Sequence, residues 1–567
     1  MRGLPRRLVT RRRLAAAVVL TAGLLAAGGL PGTPGDEGGT SDRAAPPAPR
    51  EAALAGSTTV QGERQSAVLA ADDRRLLELV GSISAGAGTY VQAVGGVDTQ
   101  VLTRRERAWT LEDLIALGAA QVQPDDAVLV TRHVLVAPGA RLTIEAPGRA
   151  VRLRSQPSGF ASLVAWKAEL TLSGAAGRPL RLSSWDPGRG TADVTPVDGR
   201  SYVREVGGAM WLRDVDATHL GFWAGRTSGV AWTGSATAPA TGGAVGSSFR
   251  SNHYGAFSSE GADLVFTGSV FAGNTVDGLA LHRRTVRTTV QDSTARDNGR
   301  HGFSADRGSQ SVTYRGVTAV RNSGSGVWFS GSPLSTNLSA GGAPLRAYGQ
   351  LRVAGGRFAE NGRAGIRVVD GHQVVISGAE VVGNRDGVVL DGTTSPTRVD
   401  DTVVTGQHRF GIAVSGGTAT VADNRVTGST TGIRVQDADV AVTGNAVTEA
   451  TAHGISVIGR AEGTALADNT VAGRGPSALD AYRLAAGLSV VQSGNDVTGW
   501  ARDRDNSDYW ASFVPNHPML VLWVVVLGVP LALRLRARRH RGSPGRAPYQ
   551  DDLLRERSGL LRVDAAR

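Results

Sequence analysis

There is no cysteine anywhere in the 567 residues, and methionine occurs only three times. Disulfides, thiolate nucleophiles and thiolate-bound metals are therefore excluded, and a secreted chain of this length must hold together through a large core. Aromatic residues are scarce too, at 5%. Glycine is the counterweight, with 76 copies. Small residues on that scale suit tight turns and stacked coils better than a helical bundle, and no collagen-like triplet runs through them. A repeat solenoid absorbs such a length as one unit. The histidines are scattered and no calcium-binding nonapeptide repeat is present, so neither a metal site nor a cofactor is expected.

The formal charge of +11 suggests a nucleic-acid binder until its distribution is read. Arg2, Arg6, Arg7, Arg11, Arg12 and Arg13 crowd the first 13 residues, and Arg534, Arg536, Arg538, Arg539, Arg541 and Arg546 crowd residues 534–546, with no acid in either stretch. Taking those 12 charges from +11 leaves −1 for everything else. The basic excess is a topology signal, and no nucleic-acid partner is expected.

Arg11–Arg13 precede the apolar run Leu14–Leu30, the pattern of a signal peptide or signal anchor of either the general or the twin-arginine type. A second apolar run, His517–Leu533, is short for a membrane span but within range when flanking arginines snorkel. Arg534–Arg541 follow at once and place the tail in the cytoplasm. The chain between the two runs is then extracytoplasmic and held at the cell membrane, with cell-surface export machinery as a candidate partner.

From about residue 252 to 475 one pattern recurs: Asn, a few residues, Gly, then alternating apolar residues. The glycines Gly278, Gly302, Gly326, Gly365, Gly387, Gly411, Gly432 and Gly454 are spaced 24, 24, 39, 22, 24, 21 and 22 apart. A period in the low twenties with one short strand pattern per copy is a stacked solenoid, and the 39-residue interval holds an inserted loop. One residue after each glycine stand Leu279, Phe303, Val327, Ile366, Val388, Ile412, Ile433 and Ile455. Three after stand Leu281, Ala305, Phe329, Val368, Leu390, Val414, Val435 and Val457. Both columns are apolar and point inward. The glycines and the asparagines Asn274, Asn298, Asn322, Asn361, Asn384 and Asn445 suit left-handed turns, the asparagines stacking as a ladder. Upstream, Thr110–Ile115 reads as a capped helix over the solenoid's open N-terminal edge.

The fold expected is all-β, a right-handed parallel β-helix over residues 126–500. Before it come an export segment (1–30), a flexible linker (31–60) and a region with the capping helix (61–125). After it come a transmembrane helix (517–533) and a cytoplasmic tail (534–567).

Such a scaffold leaves function to outward columns. Four residues after the repeat glycines, starting from Gly255, stand Ser259, His282, Asp306 and Ser330; five after stand Glu260, Arg283, Arg307 and Gly331. Adjacent coils lie about 4.8 Å apart, so His282 and Asp306 become neighbours. Past Gly365 the same column holds Val369, Asp391, Ser415, Gln436 and Ile458, so the chemistry concentrates in residues 250–310. The bland alternative is an inert surface ion pair.

Residues 184–310 resemble the alginate (mannuronan) C5-epimerase family of β-helix proteins. The stretches that carry the resemblance are Ser184–Pro187, Asp198–Arg204, Gly207-Gly208, His219–Thr227, Gly246–Phe249, Asn252–Glu260, and Asn298–Gly302 leading to Arg307. HLGFWAGRT and NHYGAFSSE are far more specific than a generic coil. The family's DPHD-type catalytic motif falls on Ala280-Leu281-His282-Arg283: the histidine matches, and Ala280 and Arg283 stand where the acids would be. The resemblance implies that His282 takes the C5 proton of a uronate and that Arg307 neutralises its carboxylate. It implies an acidic polysaccharide as partner, with Arg204 and Arg226 lining a polyanion groove. Asp306 is expected to orient His282. His253 and Tyr254 are candidates to return a proton, and Glu260 and Arg283 are expected beside the substrate. Two other readings stand: a polysaccharide lyase, which shares the first step and then eliminates, and a non-catalytic glycan-binding or cell-envelope scaffold, which the missing acids favour.

Overall fold

The computed structural model describes residues 58–83, 88–332 and 348–502, with Pro530 alone beyond them. The expected export segment, the cytoplasmic tail and all but Pro530 of the expected span His517–Leu533 lie outside the described residues. Among the described residues no helix is long and apolar enough to cross a membrane.

The chain winds as a three-faced parallel β-helix. One coil runs Leu279–His282 on the first face, Val286–Gln291 on the second and Thr294–Arg296 on the third; the next runs Phe303–Ala305, Gln310–Arg315 and Thr318–Val320. Successive coils pair in parallel, with Leu279 opposite Phe303, Val290 opposite Tyr314 and Ala295 opposite Ala319. The register survives the 39-residue interval, since Val327 pairs with Ile366 and Ala319 with Phe358. Both inward columns of the first face are buried, and they merge with Phe266, Val290 and Tyr314 of the second face and Phe249, Phe271 and Phe358 of the third in one core. Phe249 and Phe271 stack with ring centroids 5.1 Å apart. No coil hides its own inner face; each is covered only by its neighbours, which is what makes the repeat obligatory.

The asparagine ladder extends beyond the six residues read from sequence. It runs Asn252, Asn274, Asn298, Asn322, Asn361, Asn384 to Gln407, and again Asn424, Asn445, Asn469 to Asn495. Nδ2 of Asn298 donates to Asn322 Oδ1 at 2.8 Å and to the Phe271 carbonyl at 3.1 Å, so each rung satisfies polar groups of two coils.

The expected left-handed positions need correction. Neither the ladder asparagines nor the repeat glycines have positive φ; the residue before each asparagine does, as with Asp297 (φ 58°), Arg321 (φ 51°) and Glu360 (φ 55°). The repeat glycines are there for closeness: a Cβ on Gly302 would stand 2.7 Å from the Gly326 carbonyl oxygen of the next coil.

Two helices close the N-terminal part. Residues Leu111–Ala116 form a short helix with Thr110 as N-cap, its hydroxyl accepting from Asp113 N–H and the Asp113 carboxylate accepting from Thr110 N–H. Its Leu111 and Leu114 enter the solenoid core. The longer helix, Thr58–Ser82, here called α1, has no counterpart in the sequence reading and begins inside the stretch expected as linker. It lies on the outside of the first face. Leu69, Leu76 and Leu79 pack there on Val101, Leu135, Val164, Tyr202 and Phe222. The contact is polar as well as apolar. Buried Arg75 donates to Asp72 at 2.7 Å, to Thr99 Oγ1 at 3.0 Å and to Ser162 Oγ at 3.3 Å, and the Tyr202 hydroxyl donates to Asp72.

Candidate active site

On the first face, outward positions alternate with the core columns. One outward row runs Ala231, Phe257, Ala280, Ser304, Trp328, and the next Thr233, Ser259, His282. Ala280 pairs with Ser304 and Leu281 with Ala305, and this register carries His282 against Asp306 one coil on. The Asp306 carboxylate accepts the Nδ1 proton of His282 at 2.5 Å. That bond fixes the tautomer and leaves Nε2 as the basic nitrogen, with no partner among the described residues. The pair is half-buried, at 30% and 23% side-chain exposure, so a substrate can reach it while bulk water is partly excluded. The Phe257 ring stands 5.7 Å from the imidazole, centroid to centroid. Asp306 is itself held by backbone bonds from its N–H to the Leu281 carbonyl at 3.0 Å and from Ser309 N–H to its own carbonyl at 3.1 Å.

Arg307 follows Asp306 in a left-handed turn (φ 47°), exposed, and its guanidinium has no hydrogen-bond or ion-pair partner among the described residues. Arg283 is exposed in the same way (φ 41°). Glu260 N–H donates to the Arg283 carbonyl at 2.8 Å, but its carboxylate pairs with Arg284, at 2.7 Å, and not with the Arg283 guanidinium. Counting from the repeat glycine misses this because the turn after His282 holds an extra residue; the interval of 24 from Glu260 to Arg284 matches the coil period. The corner therefore offers two unengaged cations, Arg283 and Arg307, beside one neutralised pair.

The opposite edge is aromatic and titratable. Tyr254 packs edge-on against Phe257 at 5.6 Å and His253 at 5.2 Å. Burial raises the Tyr254 hydroxyl, the Arg300 guanidinium opposes the rise, and the Asp277 and Asp306 carboxylates add to it. His253 donates from Nε2 to the Trp223 carbonyl at 3.0 Å, and burial pushes it down to about 4, so it is neutral at pH 7. Asp277 is buried and saturated. It takes Arg300 Nε at 2.7 Å, Arg300 Nη2 at 2.5 Å, His301 N–H at 2.9 Å and Ser304 Oγ at 2.6 Å. His301 accepts from Ser325 N–H at 3.0 Å and stacks flat on Trp328 at 5.3 Å. Burial holds it down to about 4, which makes it a structural residue of the turn.

Arg204 and Arg226, expected to line the groove, are engaged elsewhere. Arg204 donates to Thr233 Oγ1 at 2.9 Å beside α1, and Arg226 forms a bidentate pair with Asp73 of α1. Much of what carries the family resemblance is engaged within the fold around α1 in the same way. Buried Arg200 donates to the carbonyls of Gly221 and Leu220 at 2.9 and 3.0 Å, Tyr202 bonds Asp72, and Phe222 sits in the α1 cluster. The sequence reading missed Arg284, Arg300, Trp328 and all of α1. The first two stand one coil from an acid, a spacing signal that was available; α1 left none of that kind.

A family model described as "Right handed beta helix region" matches residues 226–340, the hand expected of parallel crossovers. A second, described as "Periplasmic copper-binding protein (NosD)", matches residues 347–475. That stretch contains no cysteine or methionine. Among the described residues no group of three His, Cys, Asp or Glu is placed to hold a metal ion, so the residues do not fit copper. No curated protein matches the chain. Among solved structures it is similar to the periplasmic alginate epimerase AlgG, at 15% identity over 71% of this chain and 85% of that one, TM-score 0.42. It is similar to the A-module of the Azotobacter vinelandii mannuronan C-5 epimerase AlgE6, at 19% over 64% and 91%, TM-score 0.39. It is also similar to the catalytic unit of a GH87 alpha-1,3-glucanase from Streptomyces thermodiastaticus, at 12% over 71% of each chain, TM-score 0.40. The family that residues 184–310 resemble is thus present among these structures.

Proposed function

We propose that the protein is an extracytoplasmic, carbohydrate-active β-helix protein, anchored at the cell membrane through residues 517–533, that abstracts the C5 proton of uronate residues in an acidic polysaccharide. The observation that carries the reading is the His282–Asp306 pair with a free Nε2, flanked by the unengaged guanidinium of Arg307.

The C5 proton of a uronate is weakly acidic because the adjacent carboxylate is already charged. Arg307, with Arg283 at the matching turn one coil earlier, pairs with that carboxylate and stabilises the second negative charge that develops as the C5–H bond breaks. His282 Nε2 takes the proton, and the imidazolium formed is stabilised by Asp306. Return of a proton to the opposite face of C5 completes epimerisation, with the Tyr254 hydroxyl or water as donor. Departure of the C4 substituent instead completes a β-elimination. No metal or cofactor enters either route.

The second reading is a glycan-binding scaffold, favoured by Ala280 and Arg283 at the positions of the missing acids. Incubation with a panel of polyuronates separates the three. Altered sugar configuration by NMR, abolished in His282→Ala and Arg307→Ala proteins, supports the epimerase. Rising ultraviolet absorbance from unsaturated ends supports the lyase. Activity that survives intact in both variants refutes the site.

A further inference from the structure

The outward row that floors the site does not stop at Trp328. It continues in register through Arg367, Val389, Ala413 and Arg434. At the adjoining corner stand Arg300, Arg363 and Arg409, each following the ladder asparagine or glutamine by two residues. Arg363 is exposed with no side-chain partner among the described residues. The guanidiniums of Arg409 and Arg434 both lie on the Phe410 ring, at 4.3 and 4.7 Å, a stack that holds two cations facing outward on one aromatic plate. Arg300, Arg367 and Arg409 are matched by Asp277, Asp391 and Asp386, so the strip is net basic through Arg363 and Arg434. Six coil steps separate the His282 strand from the Arg434 strand, roughly 29 Å at the spacing of paired strands.

On the other side of His282 the same face is closed. The turn Gly225–Thr227 sits directly on the Phe257 ring, one coil before His282; a Cβ on Gly225 would come within 2.2 Å of that ring. Behind it α1 covers the earlier coils and is pinned by the Arg226–Asp73 pair and the Arg75–Asp72–Tyr202 network. Tyr202 and Phe222 are fully buried beneath it.

We infer that the site is one-sided: an acidic glycan lies along the first face from His282 toward Arg434, and the wall made by α1 and the 219–229 loop halts it within about one coil on the other side. The reacting uronate is then the terminal unit of the chain or the one next to it. The inference rests on the proposed uronate chemistry for which unit reacts; the binding track stands by itself.

Titration calorimetry of the full-length protein with a mannuronate tetramer and octamer, and with the galacturonate counterparts, reads the track. Mapping of C5 deuterium along the octamer by tandem mass spectrometry in D2O reads the wall. The octamer should bind more tightly than the tetramer. Losing two charge-assisted contacts in Arg363→Ala/Arg434→Ala should weaken the octamer about tenfold or more. Arg74→Ala, which removes a charge from the exposed side of α1, should leave binding unchanged. Deuterium should be confined to the first two units from one end. Equal affinity for both lengths, an Arg74→Ala loss matching the double variant, or no binding of any oligomer overturns the track. Deuterium in interior units overturns the wall. Binding that follows the arginines while no unit exchanges sinks the proposed reaction and leaves the track standing.

Discussion

In the proposed reaction His282 depends on its neighbour in the next coil, and that dependence can be measured. With Asp306→Asn the carboxylate that accepts the Nδ1 proton is gone, so the ring is no longer held in the tautomer with a free Nε2. Turnover is expected to fall by about a hundredfold, with KM nearly unchanged, because Asp306 is a positioning residue that meets the ring and not the substrate. Asp306→Glu should recover part of kcat. A rise in KM with unaltered kcat would assign Asp306 to substrate binding instead. Arg307→Ala should show the other pattern, raising KM as well as lowering kcat, since in the proposed reaction its guanidinium meets the substrate carboxylate before and during proton transfer.

A second residue acts on the fold. Glu205 occupies an inward position between Ala165 and Trp232, where no side chain pairs with its carboxyl group and only the backbone N–H groups of Val206, Ala168 and Gly208 lie near it. Burial pushes its pKa from the ordinary 4.5 up to about 9. The folded protein therefore binds this proton more tightly than the unfolded chain does. The associated stability is complete below about 4.5 and is lost as pH rises toward about 9. Glu205→Gln should melt higher than the parent at pH about 8, with the gap closing by pH about 5. A gap constant across that window would show that Glu205 is not protonated in the core.

Among the elements, the coil was the most legible in the sequence and the turn the least. Alternating apolar residues after each glycine give the inward columns directly, because a strand has a period of two. The role of the glycines was not legible, because a left-handed turn and a close approach both select glycine. Gly432 decides between them: its φ is not positive, and a Cβ would stand 2.6 Å from the Gly454 carbonyl and 2.3 Å from Val447 Cγ1. Gly432→Ala is accordingly expected to lower stability in urea by about 1–3 kcal/mol, the cost of overpacking, while leaving turnover at the distant His282 unchanged. A neutral effect would mean that the coils can part to admit a methyl group. Helix α1 escaped the sequence reading for a different reason. Its buried side is Leu69, Leu76 and Leu79 interrupted by Asp72 and Arg75, so the apolar stripe is broken where the helix makes its polar bonds to the first face. The pairing of His282 with Asp306 was visible as a 24-residue interval; the pairing of Glu260 with Arg284 was hidden by one extra turn residue.

At the scale of the solenoid, the first face divides into three stretches. The earliest coils are covered by α1, the coils of Phe257 to Trp328 carry the His282 pair, and the coils onward to Arg434 carry arginines at intervals. In sequence the coils past residue 365 look like scaffold, because the column of His282 and Asp306 continues there as Val369, Asp391, Ser415, Gln436 and Ile458, with no histidine and a single acid. The neighbouring row and corner tell otherwise, since Arg363, Arg367, Arg409 and Arg434 fall there.

The measurement that tests the central claim most directly is exchange at C5. The protein is incubated in D2O with a panel of polyuronates, and deuterium at C5 is read by mass spectrometry, for the parent and for His282→Gln. Incorporation into at least one polyuronate by the parent, lost by about a hundredfold or more in His282→Gln, is the result predicted. No exchange into any uronate by a folded parent protein, or exchange undiminished in His282→Gln, would contradict it.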